Sequence, residues 1–435
     1  MDAIVRGGQP PVGHVRVSGA KNSATRLLAA SLLSDEAVEL LNFPTQLVDV
    51  LHKIRFCRKI GADINIDDRQ ERVVVRANRL QAQDLGRSDL DVPIRTTYLL
   101  AAPQILRSGR ARIPYPGGCP IGGGAAGGRG YDLHMMVWRA LGCDVVERDD
   151  HIEISGQFVG GRIDFPITTV GGTENALICA SVASGETEIT NAYVTPEVDD
   201  LIALLRQMGA DIELVGSSRI IVGGQGRALG GAKKSVMADR IEALTWIIYA
   251  ALAGGSVTVE GVPFDAMTVP LLHLRHAGVD ILCNSTSAHV APHCIAPGGL
   301  QPFELACGAH PGIISDMQAF YVLLAVAGAG TSRIYDYRYP ERIAFIGELA
   351  KLVEGDVLSA ERGKITVRGP ARFRPGRAGS TDLRGSMAVV IAALCADGNS
   401  VVENVHMALR GYNNLPGKLA GLGVTIDVLS DAKAA

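Results

Sequence analysis

The chain has 435 residues, 47% of them hydrophobic and 20% charged, with a formal net charge of -3 at pH 7. That composition excludes a disordered or low-complexity protein, and the length calls for two or three domains, each with its own core. The near-neutral balance argues against a nucleic-acid surface, which shows as a basic excess, and leaves room for a local basic pocket and a small anionic substrate.

The first stretch, MDAIVRGGQPPVG, has no apolar core of signal-peptide length, and no window approaches the roughly 18 apolar residues of a membrane span. A cytoplasmic protein without membrane partners is the expectation. The eight cysteines show no metal spacing and mostly lie in apolar runs, where a free thiol acts as a small hydrophobe.

In chain order, Val15-Arg16-Val17-Ser18-Gly19-Ala20-Lys21-Asn22 reads as a short strand turning into the helix SATRLLAASLL. Lys21 and Asn22 then stand at a helix N-terminus, which favours an anion; a solvated lysine is the competing reading. Arg95 heads the apolar helix YLLAAPQILR, where a guanidinium fork suits carboxylate or phosphate, or simply faces solvent. From Pro114 to Gly130 eight glycines and three prolines exclude a helix or central strand, leaving a long loop with Cys119 and Arg129. A glycine-flanked, exposed thiol is reactive and would be a liability without a use. Tyr131-Asp132-Leu133-His134 begins the next helix, with Asp132 a candidate cap. Further on, isolated charged residues mark helix starts or turns at Asp239-Arg240, Ser315-Asp316, Glu341-Arg342, Asp382-Leu383-Arg384 and Arg410-Gly411-Tyr412. Asp316 in a first helical turn is either a dipole-stabilising carboxylate or a functional one.

One unit recurs six times. An apolar helical run, a glycine and a β-branched strand meet at Gly61, Gly142, Gly209, Gly278, Gly355 and Gly423. A second helix precedes each copy, as in AASVASGETEIT and AALCADGNSVVE. Six units of two helices and about four strands, three per lobe, predict an α+β fold with apolar helices packed inside sheets. A cleft between the lobes is the expected place for a small-molecule site.

Six of these stretches stand in one order: SGAKN, Pro-Gly-Gly-Cys119 followed by Asp-Leu-His, Asp-Arg-Ile-Glu near 240, Ser-Asp316-Met-Gln, Asp-Leu-Arg384, and Arg410-Gly-Tyr. Over nearly the whole chain they resemble the enolpyruvyl transferase family, most closely its branch acting on UDP-N-acetylglucosamine. The resemblance implies a two-lobed inside-out α/β barrel. Residues 1–20 plus 235–435 would carry the catalytic base and much of the phosphoenolpyruvate site, and 21–234 the Cys119 loop and nucleotide contacts.

It also implies transfer of the enolpyruvyl group of phosphoenolpyruvate to a hydroxyl, through a tetrahedral ketal, with release of phosphate and no metal or organic cofactor. Lys21, Arg95, Arg129, Arg342, Arg384 and Arg410 would surround the donor's anionic groups, with Lys21 and Arg410 also catalytic. Asp316 would be the base and Cys119 the acid. Asn22, Tyr131, Asp132, Leu133, His134, Thr169, Val170, Gly171 and Asp316 would contact the acceptor, a uridine nucleotide or nucleotide sugar.

The chain departs from the family pattern on the acceptor side. The loop before Asp132 is five residues longer, Thr169-Val170-Gly171-Gly172 replaces Ser-Val-Gly-Ala, and Val194-Thr195-Pro196-Glu197 loses a basic residue. These departures keep open a second acceptor, the 3′-hydroxyl of UMP as in nucleoside-antibiotic biosynthesis. A non-catalytic nucleotide-binding paralogue is the remote alternative.

Overall fold

The computed structural model describes residues 1–80, 94–115, 131–149 and 151–429. They divide into two compact units, residues 1–18 with 238–429 in one and the described residues of 19–237 in the other. The secondary structure is mixed α/β. Among the described residues there are six sheets, five of four strands and one of three.

The five four-stranded sheets share one plan. Strand Arg162–Asp164 runs parallel to Ser184–Thr190, which pairs antiparallel with Arg219–Gln225, which in turn pairs antiparallel with Asp211–Val215. A parallel pair needs a crossover, here the helix Val170–Ser181. Glu304–Cys307, Gly330–Asp336, Lys364–Gly369 and Leu358–Glu361 repeat the order around helix Gln318–Ala327. In the last copy the N-terminal strand Asp2–Arg6 stands between Asn399–Glu403 and Ile426–Leu429.

Two copies exchange their first strands. Val12–Arg16 lies parallel to Ser256–Glu260, and Ala232–Ser235 lies parallel to Val38–Leu41. Each unit therefore pairs strands far apart in the chain, Val12 with Ser256 in one and Val38 with Ala232 in the other.

The crossover helices are apolar on every side and so belong in an interior. In Arg240–Leu252 and Leu383–Cys395 nearly every residue is buried, and these two helices pack on each other and on Gln318–Ala327. Strands such as Arg72–Arg76 bury alternate residues, the pattern of a sheet with one wet face. Cys57, Cys143, Cys179, Cys294 and Cys307 are free buried thiols. No described helix is long and apolar enough to cross a membrane.

All six repeat glycines have positive φ: +98° at Gly61, +86° at Gly142, +98° at Gly209, +94° at Gly278, +72° at Gly355 and +77° at Gly423. Each reverses the chain after a helix, a conformation that a β-carbon opposes. The strands after Gly278 and Gly355 begin only at Leu282 and Leu358. After Gly278 the intervening backbone bonds elsewhere, Asp280 N to Cys294 O at 2.6 Å, and just before Gly355 Glu354 N bonds to Arg372 O at 3.0 Å. A β-carbon on Gly209 would meet nothing within 4 Å, so substitution there isolates the backbone cost. Gly209→Ala is expected to lower stability by about 1–2 kcal/mol in urea denaturation; an unchanged midpoint would refute this account of the turn.

Candidate functional site

In the unit containing the C-terminal half, Arg342 is the centre of a buried charge cluster. Its Nη1 donates to Asp316 Oδ1 at 2.7 Å, and its Nη2 and Nε donate to Asp382 Oδ1 at 2.9 and 3.2 Å. Asp382 is also the N-cap of helix Leu383–Cys395, accepting from Arg384 N and Gly385 N. Ser315 bonds to Asp336 and takes a longer contact from Arg342 Nη1 at 3.4 Å. Burial opposes the charge on Arg342, but Asp382 and Asp316 outweigh it and hold the guanidinium above its ordinary pKa.

Arg384 stands on the other side of the same aspartate, with Nε 3.5 Å from Asp316 Oδ2. Its guanidinium lies 5.3 Å from the centre of the Tyr412 ring, a cation–π contact, and Nη1 donates to Gly411 O at 3.4 Å. Tyr412 is fixed in turn by Thr245, oxygen to oxygen 2.8 Å. Asp316 thus lies between two guanidiniums, yet its side chain keeps 28% of its surface open, against 4% for either arginine. Arg410 is buried, with Nη1 3.8 Å from Met407 Sδ. Arg240, also buried, approaches His310 Nδ1 at 3.3 Å, and Asp239 caps helix Arg240–Leu252 through Ile241 N and Glu242 N.

The other unit holds the remaining described candidates. Lys21 opens helix Lys21–Ser31 and pairs with Asp49 at 2.6 Å, both side chains about nine-tenths buried. Asn22 is half-buried. Arg95 precedes the short helix Thr96–Leu100, and its carbonyl accepts from Tyr131 Oη at 3.3 Å. Tyr98 of that helix stacks on His134, ring centres 3.6 Å apart and planes 18° from parallel. Thr169 caps helix Val170–Ser181, its Oγ1 accepting from Gly172 N at 3.1 Å, with Val170 half-buried behind it. A β-carbon on Gly171 would stand 2.8 Å from Tyr98 Oη, so only glycine lets this helix start approach the tyrosine.

Some expectations change. Asp132 is not the cap of helix Asp132–Ala140; Tyr131 holds that place, and Asp132 is an exposed first-turn residue. Leu133 is half-buried, whereas His134 turns inward onto Tyr98. Cys119 and Arg129 lie outside the described residues.

A family model described as EPSP synthase (3-phosphoshikimate 1-carboxyvinyltransferase) matches residues 5–419. The chain belongs to this family of enolpyruvyl transferases. The UDP-N-acetylglucosamine 1-carboxyvinyltransferase of Maricaulis maris is 36% identical over 99% of the chain and 100% of its own length. That of Koribacter versatilis is 35% identical over 97% and 95%. The crystal structure of the enolpyruvyl transferase NikO from Streptomyces tendae superposes with a TM-score of 0.87 at 24% identity, covering 98% of both chains. EPSP synthase from Acinetobacter baumannii gives 0.72 at 17% identity, covering 99% of each. These likenesses show the fold, and the family shows the reaction type, enolpyruvyl (1-carboxyvinyl) transfer.

For an enolpyruvyl transferase, the sequence understated the carboxylates. Asp49 and Asp382 pair with Lys21 and Arg342, and Asp382 was visible only as a neighbour of Arg384. A lone Glu174 within the apolar helix VGGTENALICAS was the one local signal of another buried charge.

Burial, together with the nearby Arg95 and Arg26, lowers the His134 pKa to about 3. Its ordinary value is about 6.5. The unfolded chain therefore binds this proton between those two values while the folded chain does not, and stability falls as pH drops through that window. His134→Phe keeps an aromatic stack and is expected to weaken the loss of stability between pH 7 and pH 5. Chemical denaturation at both values checks this, and an unaltered pH dependence would refute it.

Proposed function

We propose that the chain transfers the enolpyruvyl group of phosphoenolpyruvate to a hydroxyl of UDP-N-acetylglucosamine. The observation that carries this reading is Asp316, a partly open carboxylate held between the buried guanidiniums of Arg342 and Arg384. Phosphoenolpyruvate brings a phosphate and a carboxylate, whose desolvation is prohibitive without fixed cations. Arg342, Arg384 and Arg410 meet that need in one unit and Lys21 and Arg95 in the other, and Arg129 is the further cation that the sequence offers. The six sheets fit the repeats of the family's inside-out barrel, three to each lobe.

The geometry gives the base a condition. While both guanidiniums bond to Asp316, its oxygens are occupied; substrate anions that draw the arginines away free a carboxylate oxygen for the acceptor hydroxyl. Asp316 then takes the hydroxyl proton as the oxygen attacks C2 of the donor, and Cys119 gives a proton to C3. The resulting tetrahedral ketal expels phosphate as C3 returns a proton to the Cys119 thiolate, regenerating the double bond and the thiol. Lys21 and Arg410 stabilise the charge on the donor as it shifts. Asn22, Tyr131, Asp132, Leu133, His134, Thr169, Val170 and Gly171 receive the uridine nucleotide portion of the acceptor. The acceptor itself comes from the relatives' names.

A second acceptor, the 3′-hydroxyl of UMP, is favoured by one local feature. Thr195 caps helix Pro196–Gln207, whose first turn carries the acidic Glu197 and Asp199, and the run Val194-Thr195-Pro196-Glu197 itself offers no basic residue to a diphosphate.

Phosphate release with phosphoenolpyruvate and a panel of UDP-N-acetylglucosamine, UMP, UDP and shikimate 3-phosphate decides between them. Turnover with the nucleotide sugar is expected; turnover with UMP alone would replace that acceptor. Asp316→Asn and Cys119→Ala are each expected to lower kcat by about 10²–10⁴-fold, the usual contribution of a positioned acid or base. Near-wild-type turnover by either variant would remove that residue from its role.

A further inference from the structure

Beside these residues, the unit formed by 19–237 encloses an ion pair that the transfer chemistry does not use. Arg26 lies on helix Lys21–Ser31, just over one turn beyond Lys21, and Glu174 lies on helix Val170–Ser181, one turn beyond Gly171. Arg26 Nε donates to Glu174 Oε2 at 2.8 Å, and Arg26 Nη1 donates to Thr25 Oγ1 at 2.9 Å. The Glu174 side chain is 0% exposed and that of Arg26 14%. Glu174 Oε1 finds no hydrogen-bond partner among the described residues, so the carboxylate is held through Oε2.

Tyr98 Oη reaches the same Oε2 at 3.5 Å, while its ring carries the His134 stack and its hydroxyl faces Gly171. Lys53 is wholly buried on the neighbouring helix Val48–Lys59, its Nζ donating to Thr96 O and Thr96 Oγ1 at 3.1 Å. It thereby pins the turn that starts at Arg95. Four segments meet around this group: the Lys21–Asn22 helix start, the Arg95 turn, the Tyr131–His134 turn and the Thr169–Gly171 helix start.

A buried ion pair is a poor device for stability alone, because apolar residues of similar volume serve as well or better. What it adds is direction, since a guanidinium fork and a carboxylate bond only in defined orientations. We infer that the Arg26–Glu174 pair is a positioning element that locks the Thr169–Gly171 helix start and the Tyr98–His134 stack to the Lys21–Asn22 helix, and so sets the acceptor-binding geometry. This inference rests on the reading of those segments as acceptor contacts.

The test compares Glu174→Gln with the double variant Arg26→Met/Glu174→Met. Glu174→Gln keeps the shape and leaves a buried cation without its counter-charge; the double variant removes both charges. Steady-state kinetics with phosphoenolpyruvate and the acceptor that wild type turns over, with thermal unfolding, separate placement from stability. Glu174→Gln is expected to lower Tm and raise the acceptor KM about tenfold or more, with kcat and the phosphoenolpyruvate KM changed less than about threefold. The double variant should recover Tm but keep the raised acceptor KM. Recovery of both together, or an unchanged acceptor KM in folded Glu174→Gln, would overturn the inference.

If wild type turns over no uridine acceptor, the functional reading has failed and amide hydrogen exchange judges the pair separately. Faster exchange in 95–100, 131–135 and 169–173 together, in Glu174→Gln against wild type, supports the lock. Acceleration confined to 170–181, or none, overturns it.

Discussion

Arg342 joins Asp316 to Asp382 inside one unit, and the arrangement of that unit's polar interior depends on it. Asp382 Oδ1 receives two backbone N–H groups at the start of helix Leu383–Cys395 as well as two nitrogens of Arg342. The cap of a buried helix and the orientation of a guanidinium are therefore one structure. The same guanidinium reaches Asp316, where the short helix Ser315–Met317 leads into helix Gln318–Ala327. A charge this deeply buried is tolerable only because carboxylates meet it on both sides.

The surrounding fold makes such a cluster possible. Helices apolar on every face occupy the interior, so the polar groups of a unit gather at helix ends, where backbone N–H groups and cap side chains must be satisfied anyway. Asp239, Thr169, Thr195 and Asp382 all cap crossover or neighbouring helices. Lys21 and Arg384 lie in first turns, and Asp316 lies in the short helix leading into another. An enzyme that handles anions gains from this arrangement, because first-turn amides and dipoles already favour negative charge.

The two units use their buried charges differently. Around Arg342 and Arg384 the carboxylate at the centre keeps an open face, consistent with a group that exchanges protons. Around Arg26 and Glu174 the carboxylate is closed off and its neighbours are the stacked Tyr98 and His134, consistent with a group that orients others. His134 shows how strongly burial can redirect a residue. Read locally it was a first-turn side chain, but packed against Tyr98 it stays neutral far below its ordinary pKa.

The sequence alone determined the repeat, the six turns and the apolar crossover helices, because each depends on local chemistry: a glycine that reaches positive φ, a run without charge, an alternation of period two. It also exposed, through their order along the chain, the motifs of an enolpyruvyl transferase. Tertiary structure decided the rest. Nothing local pairs Val12–Arg16 with Ser256–Glu260 or Ala232–Ser235 with Val38–Leu41, since strand partners are chosen by shared burial across distant segments. Nor could spacing show that Arg342 bonds to Asp382, or Arg26 to Glu174. A charged side chain declares its need for a partner in the sequence, but which partner stands within hydrogen-bond reach is settled only when the helices pack.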